Sequence, residues 1–359
     1  VPQTRLFRIG YGIILILLIV FLGQKVSFLF KPVTVLVQTL FFPFLLAGVL
    51  YYLFRPIVGG LQRWKVPKVA AILLIYLLFA GVLTALGFVI GPPLKEQLDK
   101  LVLNFPAIIE TAKSKWLEWS HHPWVAKYVN WNEVMDGTTE WFKESYRSIL
   151  SNVAGFFSVI ANIVVVFVTV PFILYYMLKE GEKFPPLLLR ILPEREREEG
   201  MRILRDMDQA LSSYIKGQVT VSMFVGLIVY IGYLVIGLEY SLLLALLAML
   251  TNVIPVVGPL IGVIPAIIVA FTISPGMAIK VVVVAIIAQQ LEGNLVSPMV
   301  MGKSLHIHPL TIIVLLLVAG SLAGFLGLLL AVPAYAVAKV IISHFWRLYR
   351  LRMREKPTT

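Results

Sequence analysis

The chain contains no cysteine, which excludes disulfides and thiolate metal sites at once. Charge is also scarce: 14% of the residues are charged, against 59% hydrophobic. Mean hydropathy is +0.90. A soluble domain of 359 residues needs more charge to cover its surface. There is no Walker loop, no GxGxxG and no HExxH, and no Ser/His/Asp set within the apolar stretches. A nucleotide-driven pump and an intramembrane hydrolase are disfavoured, and no catalytic residue, cofactor or metal is expected. The polar/apolar alternation of a membrane β-barrel, in segments of about 10 residues, is missing too.

What is present is long apolar runs, at 9–23, 33–54, 69–92, 152–178, 219–238, 241–273, 277–291 and 309–342. A spanning helix needs about 20 such residues. The expected fold is therefore all-α, a polytopic membrane helical bundle of about eight membrane segments. The first run lacks a small-residue cleavage site and reads as a retained helix. The net charge of +12 lies in loops between the runs, so it reports topology and not nucleic-acid binding. Arg55, Arg63, Lys65 and Lys68 follow the second run with no acid among them, and Arg347, Arg350, Arg352, Arg354 and Lys356 face only Glu355 near the end. Both clusters, and hence both termini, are expected on the cytoplasmic side of a bacterial inner membrane.

This divides the chain into five parts. Residues 1–92 form a three-span scaffold. Residues 93–150 carry seven Lys/Arg against eight Asp/Glu, and hold Trp116, Trp119, Trp124, Trp131 and Trp141. Leu94, Leu98, Leu101, Phe105, Ile108 and Ala112 recur there at helical spacing. An extracytoplasmic amphipathic helical insertion and a small folded cap or oligomer contact fit this region equally well. His121 and His122 within it read as solvated. Residues 151–210 comprise a fourth span and a charged cytoplasmic helix around Glu194-Arg195-Glu196-Arg197-Glu198-Glu199. Residues 211–346 form a core with broken segments, and 347–359 a basic tail.

The breaks carry the functional reading. Residues 252–265 contain Asn252, Pro255, Gly258, Pro259, Gly262 and Pro265 inside an apolar block. Each proline removes a backbone donor and obstructs the preceding turn, and an unpaired backbone group is not tolerated against lipid. Two half-helices forming a re-entrant hairpin, its tip near 255–259, are favoured over two full spans, because each arm is shorter than the roughly 20 residues a span requires. Gly320, Ser321, Gly324 and Gly327, followed by Pro333, interrupt the last block. They serve close helix packing and are the candidate for a second hairpin. Charge counting makes 309–346 cross an even number of times, which a hairpin and two short spans both satisfy; with a hairpin, the two would open to opposite sides, an arrangement used by secondary transporters.

Between the breaks stands Glu292, the only acid between Glu239 and Glu355. An intramembrane carboxylate is a functional-site hypothesis by default. Gln289 shares its helical face, as Gln290 shares one with Asn294. Burial and neighbouring charge could tune Glu292 to carry a proton or bind Na⁺. The plainer alternative is an acid that fixes a helix end or pairs with Lys216, Lys280 or Lys303. Tyr214, Lys216 and Gln218 place polar groups at the start of the fifth membrane helix, where Lys216 can also snorkel. His306 and His308 are weak metal candidates.

The runs YIKGQ at 214–218, NVIPVVGPLIG at 252–262 and QQLEGNLVSPMVMG at 289–302, followed by His308-Pro309 and the 320–327 segment, resemble the autoinducer-2 exporter family of bacterial membrane proteins. The resemblance implies export of small molecules, in some members autoinducer-2, and Na⁺(Li⁺)/H⁺ antiport in others. It also implies a homo-oligomer, with a pentamer as the candidate, and an elevator-like moving element. The expected partners are a small-molecule or monovalent-cation substrate and the lipid bilayer, with no nucleic acid. Glu292 would be the coupling carboxylate, with Asn252, Gln289, Gln290 and Asn294 lining the site. A non-transporting scaffold or channel-like oligomer stands as the third reading.

Overall fold

The computed structural model describes residues 27–120, 155–301 and 308–354, together with 10–12, 14, 15, 17, 18 and 21. Among the described residues the regular elements are helical and no strand occurs. This follows from the apolar blocks, because a helix pairs its backbone groups within the segment. The helices are α1 (Ser27–Arg63), α2 (Lys68–Ser120), α3 (Gly155–Glu180), α4 (Phe184–Leu188), α5 (Glu194–Val235), α6 (Ser241–Thr251), α7 (Val257–Ile273), α8 (Pro275–Leu291), α9 (Ser297–Met301) and α10 (Pro309–Arg354). Five stretches among the described residues are long and apolar enough to cross a membrane: Thr39–Arg63, Lys68–Ile108, Glu196–Val235, Pro275–Val300 and Leu310–His344. The expected spans at 33–54, 69–92, 219–238 and 277–291 overlap the first four. Seven residues of 9–23 and all of 121–154 lie outside the described residues, as do His121, His122, Trp124, Trp131, Trp141, Lys303 and His306.

Packing divides the chain into two compact units, Val1–Tyr51 with Ala154–Leu178 and Tyr52–Val153 with Lys179–Thr359. In the first, Val170, Leu174 and Leu178 are buried along one face of α3. The second holds all that concerns the site. Its core joins α5, α6, α7 and α8 through Val221, Val225, Tyr233, Leu244, Ala266, Ala270, Val281 and Ala288. Small residues bring these helices close: a methyl on Gly226 would meet Met249 of α6, and one on Gly232 would meet Val284 of α8.

Helix ends follow local chemistry. Lys65 takes φ 63° and closes α1 with Lys65 N–H bonded to Gln62 O and Val66 N–H to Leu61 O. Gly237 at φ 70° ends α5 in the same way, through Leu234 O and Tyr233 O. Ser274 starts α8 by accepting Met277 N–H on its side chain at 3.1 Å, with Pro275 next in line.

Two expected boundaries are replaced by continuity. The third span and the first part of the 93–150 insertion are one helix, α2, which runs through Pro92, Pro93 and Pro106. The charged helix near 194 and the fifth membrane helix are likewise one element, α5, 42 residues long or about 63 Å at 1.5 Å per residue.

Both breaks form helical hairpins. In the first, α6 and α7 are 11 and 17 residues, about 17 and 26 Å long, and each is short of the roughly 30 Å hydrocarbon layer. A methyl on Gly258 would overlap Thr251 O, and one on Gly262 would lie 2.8 Å from Ala248 Cα, so the arms touch through glycine. Pro255 sits in the turn, while Pro259 falls in the first turn of α7, where no intrahelical donor is needed. Pro265, expected within the break, lies inside the continuous α7.

In the second hairpin, Ala323 (φ −135°, ψ 15°) and Gly324 (φ 58°, ψ −137°) leave helical geometry within α10. A methyl on Gly327 would overlap Ala319 O, and one on Gly320 would lie 3.0 Å from Leu328. Residues eight apart in a straight helix are about 12 Å apart along the axis, so the chain folds back here. The 310–344 stretch is therefore two arms. The first hairpin's tip meets this one in a small apolar cluster of Ile254 with Leu316 and Ala331.

Candidate functional site

The site assembles where the tip of the first hairpin meets α5 and the junction of α8 with α9. Asn252 caps the C-terminus of α6. Its backbone carbonyl, one of the terminal group without an intrahelical donor, accepts Gln218 Nε2 at 2.7 Å. Its side chain is 1% exposed, yet neither Oδ1 nor Nδ2 has a hydrogen-bond partner. A buried unpaired polar group costs about 1–3 kcal/mol, so the position is expensive for the fold.

Gln218 belongs to a stripe on α5. Tyr214, Gln218 and Ser222 recur every fourth residue, fall on one face and are all buried. The Ser222 hydroxyl, one turn beyond Gln218, is also without a partner.

The carboxylate comes from an irregular stretch of helix. Glu292 opens a π-turn, Glu292–Val296, in which the Ser297 N–H reaches back to Glu292 O. The cause is visible in burial: Val281, Ala288 and Val296 face the core, seven and then eight residues apart. One residue too many stands between Ala288 and Val296, and the wider turn absorbs it so that Val296 still faces inward. Gln289 Nε2 donates to Glu292 Oε2 at 3.1 Å. The Asn252 side chain also interacts with this half-buried carboxylate, although no hydrogen bond of regular geometry closes between them.

Asn252, Gln289 and Glu292 are thus brought together. Gln290 and Asn294 are not: they pair with each other, Asn294 Nδ2 to Gln290 Oε1 at 2.8 Å, on an exposed part of the helix. Lys216 is half-buried on α5, and among the described residues it forms no ion pair with Glu292. Among the hinge residues, Gly258, Gly262, Gly320 and Gly327 make close approaches and Gly324 supplies a positive φ. Ser321 is exposed and donates only to Val318 O. His308 accepts Leu310 N–H on Nδ1 at 3.3 Å, so it serves the start of α10. No metal-binding cluster occurs among the described residues.

Two buried polar residues were missed as site members, Gln218 and Ser222. The signal was their four-residue spacing within an otherwise apolar helix. A third feature, the γ-turn at the tip, was not legible: Val256 takes φ 65°, ψ −53°, with Val257 N–H on Pro255 O at 2.7 Å. This conformation is rare and strained for a β-branched residue, and nothing in the local sequence specifies it.

Comparison with known proteins gives matches over nearly the full chain. The model of the AI-2E family transporter matches residues 13–347. YueF of Bacillus subtilis, whose name proposes a transport role, is 44% identical over 349 residues, covering 96% of this chain and 94% of that protein. YrrI of the same organism, named in the same way, is 35% identical over 345 residues, covering 93% and 95%. PerM of Escherichia coli K12, whose name proposes a permease, is 29% identical over 320 residues, covering 85% and 86%.

Proposed function

Because the chain belongs to the AI-2E family of transporters, we propose that it is a secondary transporter exporting a small polar molecule, autoinducer-2 being the first candidate. An ion gradient drives it through alternating access, with the two hairpins as re-entrant elements near the midplane. The observation that carries this reading is the Asn252 side chain, fully buried against the Glu292 carboxylate with no hydrogen bond of regular geometry at either of its polar atoms. An unsatisfied donor and acceptor held next to an intramembrane acid suit a ligand that enters and leaves. The orphaned Asn252 Nδ2 is a donor. A hydroxyl-bearing solute entering beside the carboxylate can accept from it.

The second reading, Na⁺(Li⁺)/H⁺ antiport, is supported by the oxygen ligands beside each other there, the Glu292 carboxylate and Asn252 Oδ1. Glu292 carries the exchanged proton in either case.

Extracellular autoinducer-2 measured in cells with and without the protein tests export, and equal accumulation sinks it. A pH jump on adding Na⁺ or Li⁺ to everted vesicles tests antiport. Glu292→Gln is expected to abolish whichever activity is found, and a fully active Glu292→Gln protein removes the carboxylate from the mechanism.

A further inference from the structure

The part of α2 beyond Pro93 touches the first hairpin in an ordered way. Leu94, Leu101 and Ile108 recur every seven residues and pack on the hairpin's core. Gln97, Asn104 and Thr111 alternate with them, and Lys115 continues the series, the 3–4 spacing of a helix seam. The polar members of the seam address the base of the hairpin. Gln97 Oε1 accepts Leu243 N–H at 3.0 Å, one of the N-terminal donors of α6 that no helix bond can satisfy. Asn104 Nδ2 donates to Tyr240 OH at 3.1 Å. Tyr240 is the buried residue before α6 and holds φ 58°. Lys115 Nζ donates to Thr272 O at 2.6 Å and to Ile273 O at 2.9 Å, placing a cation on the C-terminal pole of α7. Both ends of the hairpin's base are therefore capped by one outside helix. Among the described residues, the tip of the same hairpin meets the second hairpin in the apolar cluster of Ile254, Leu316 and Ala331.

We propose that the 94–115 segment of α2 travels with the first hairpin as one body, that Gln97, Asn104 and Lys115 are positioning residues which hold Asn252 at the site through that body, and that the surface which parts is the apolar contact of Ile254 with the second hairpin. This rests on the alternating-access reading above. Directional hydrogen bonds and a capped dipole resist sliding, because displacement leaves donors and carbonyls unpaired. An apolar contact has no such directional requirement.

The absence of native cysteine permits a direct test on the full chain in lipid nanodiscs. Spin labels go on exposed leucines, as Leu103→Cys with Leu260→Cys for the α2–hairpin distance, and Leu260→Cys with Leu322→Cys for the distance between hairpins. Pulsed EPR is recorded at acid and alkaline pH. The expected result is one narrow Leu103–Leu260 distribution that does not move, and a Leu260–Leu322 distribution that shifts. Adding Asn104→Leu and Lys115→Met is expected to broaden the first distribution. A moving Leu103–Leu260 distance, a Leu260–Leu322 distance fixed under both conditions, or a first distribution indifferent to the clasp variants overturns the proposal. None of these readouts requires a substrate, so a failed transport assay bears on the transport reading and leaves this one to be judged by its own distances.

Discussion

At the scale of single residues, the unpartnered Asn252 side chain sets stability against use. Asn252→Leu keeps the branched shape with bulkier ends and removes two buried polar groups without a regular hydrogen bond, so the fold is expected to gain up to about 1–3 kcal/mol while transport is lost. A thermal unfolding series on detergent-purified protein, run beside an export assay, checks both halves, and a destabilised but active variant contradicts both. Val256→Gly should act in the same direction on stability, since glycine accepts the positive φ without a Cβ penalty. Relief of about 1–3 kcal/mol is the expected scale. Glu292 and Asn252 were both legible in the sequence, because an acid and an amide in apolar surroundings are conspicuous on cost alone. Gln218 was visible as a polar residue but not as a site member, since its role depends on meeting a carbonyl 34 positions away. Such a long-range pairing leaves no local pattern.

At the scale of elements, the two hairpins depend on glycines that permit backbone contact. Gly258→Ala and Gly327→Ala each place a methyl onto a carbonyl oxygen, of Thr251 and of Ala319. Neither backbone atom can rotate away as a side chain would. Each substitution is expected to cost more than about 1–3 kcal/mol, the usual range for overpacking, and to lower the yield of folded protein in size-exclusion profiles. Gly276→Ala, beside which only Ser274 Oγ comes within reach at 3.9 Å, should be tolerated and serves as the control. The positions of both breaks were legible from proline and glycine inside apolar blocks. The continuity of α2 was not. Pro92-Pro93 and the change to polar composition both argue for a boundary, and the helix persists because its next turns, from Leu94 to Lys115, have a seam of their own on the hairpin. Tertiary contact there outweighs the local signal.

At the scale of the molecule, the orientation we propose is the one that the placement of the cations favours. Arg63, the highly exposed Trp64, and Lys65 share the turn between α1 and α2, a grouping suited to the headgroup region on the cytoplasmic side. Arg55 meets Asp208 at 2.6 Å and Lys68 meets Glu182 at 3.1 Å, which gathers the lower half of α5 to the same side. His344 near the end of α10 lies between Glu199 and Asp206, at 3.1 and 2.8 Å, and ties the last helix to that half as well. Lys65→Cys is therefore expected to react with a membrane-impermeant maleimide only after permeabilisation, and Leu103→Cys in intact cells. The reverse labelling would invert the orientation assigned from charge.

The π-turn at Glu292 has a consequence for how such a site could arise and be lost. An α-helix accommodates a single inserted residue by bulging, so the acid stands where one codon more than the regular repeat is translated. Removing Gly293, whose missing side chain faces open space, would restore the seven-residue interval between Ala288 and the following Val296. The shortened helix should still insert and pack, with a straighter course and no bulge at the acid. With Glu292 in the coupling role proposed above, an in-frame deletion would uncouple transport while leaving the architecture in place, which would make this one position a branch point between working and silent copies of the same fold.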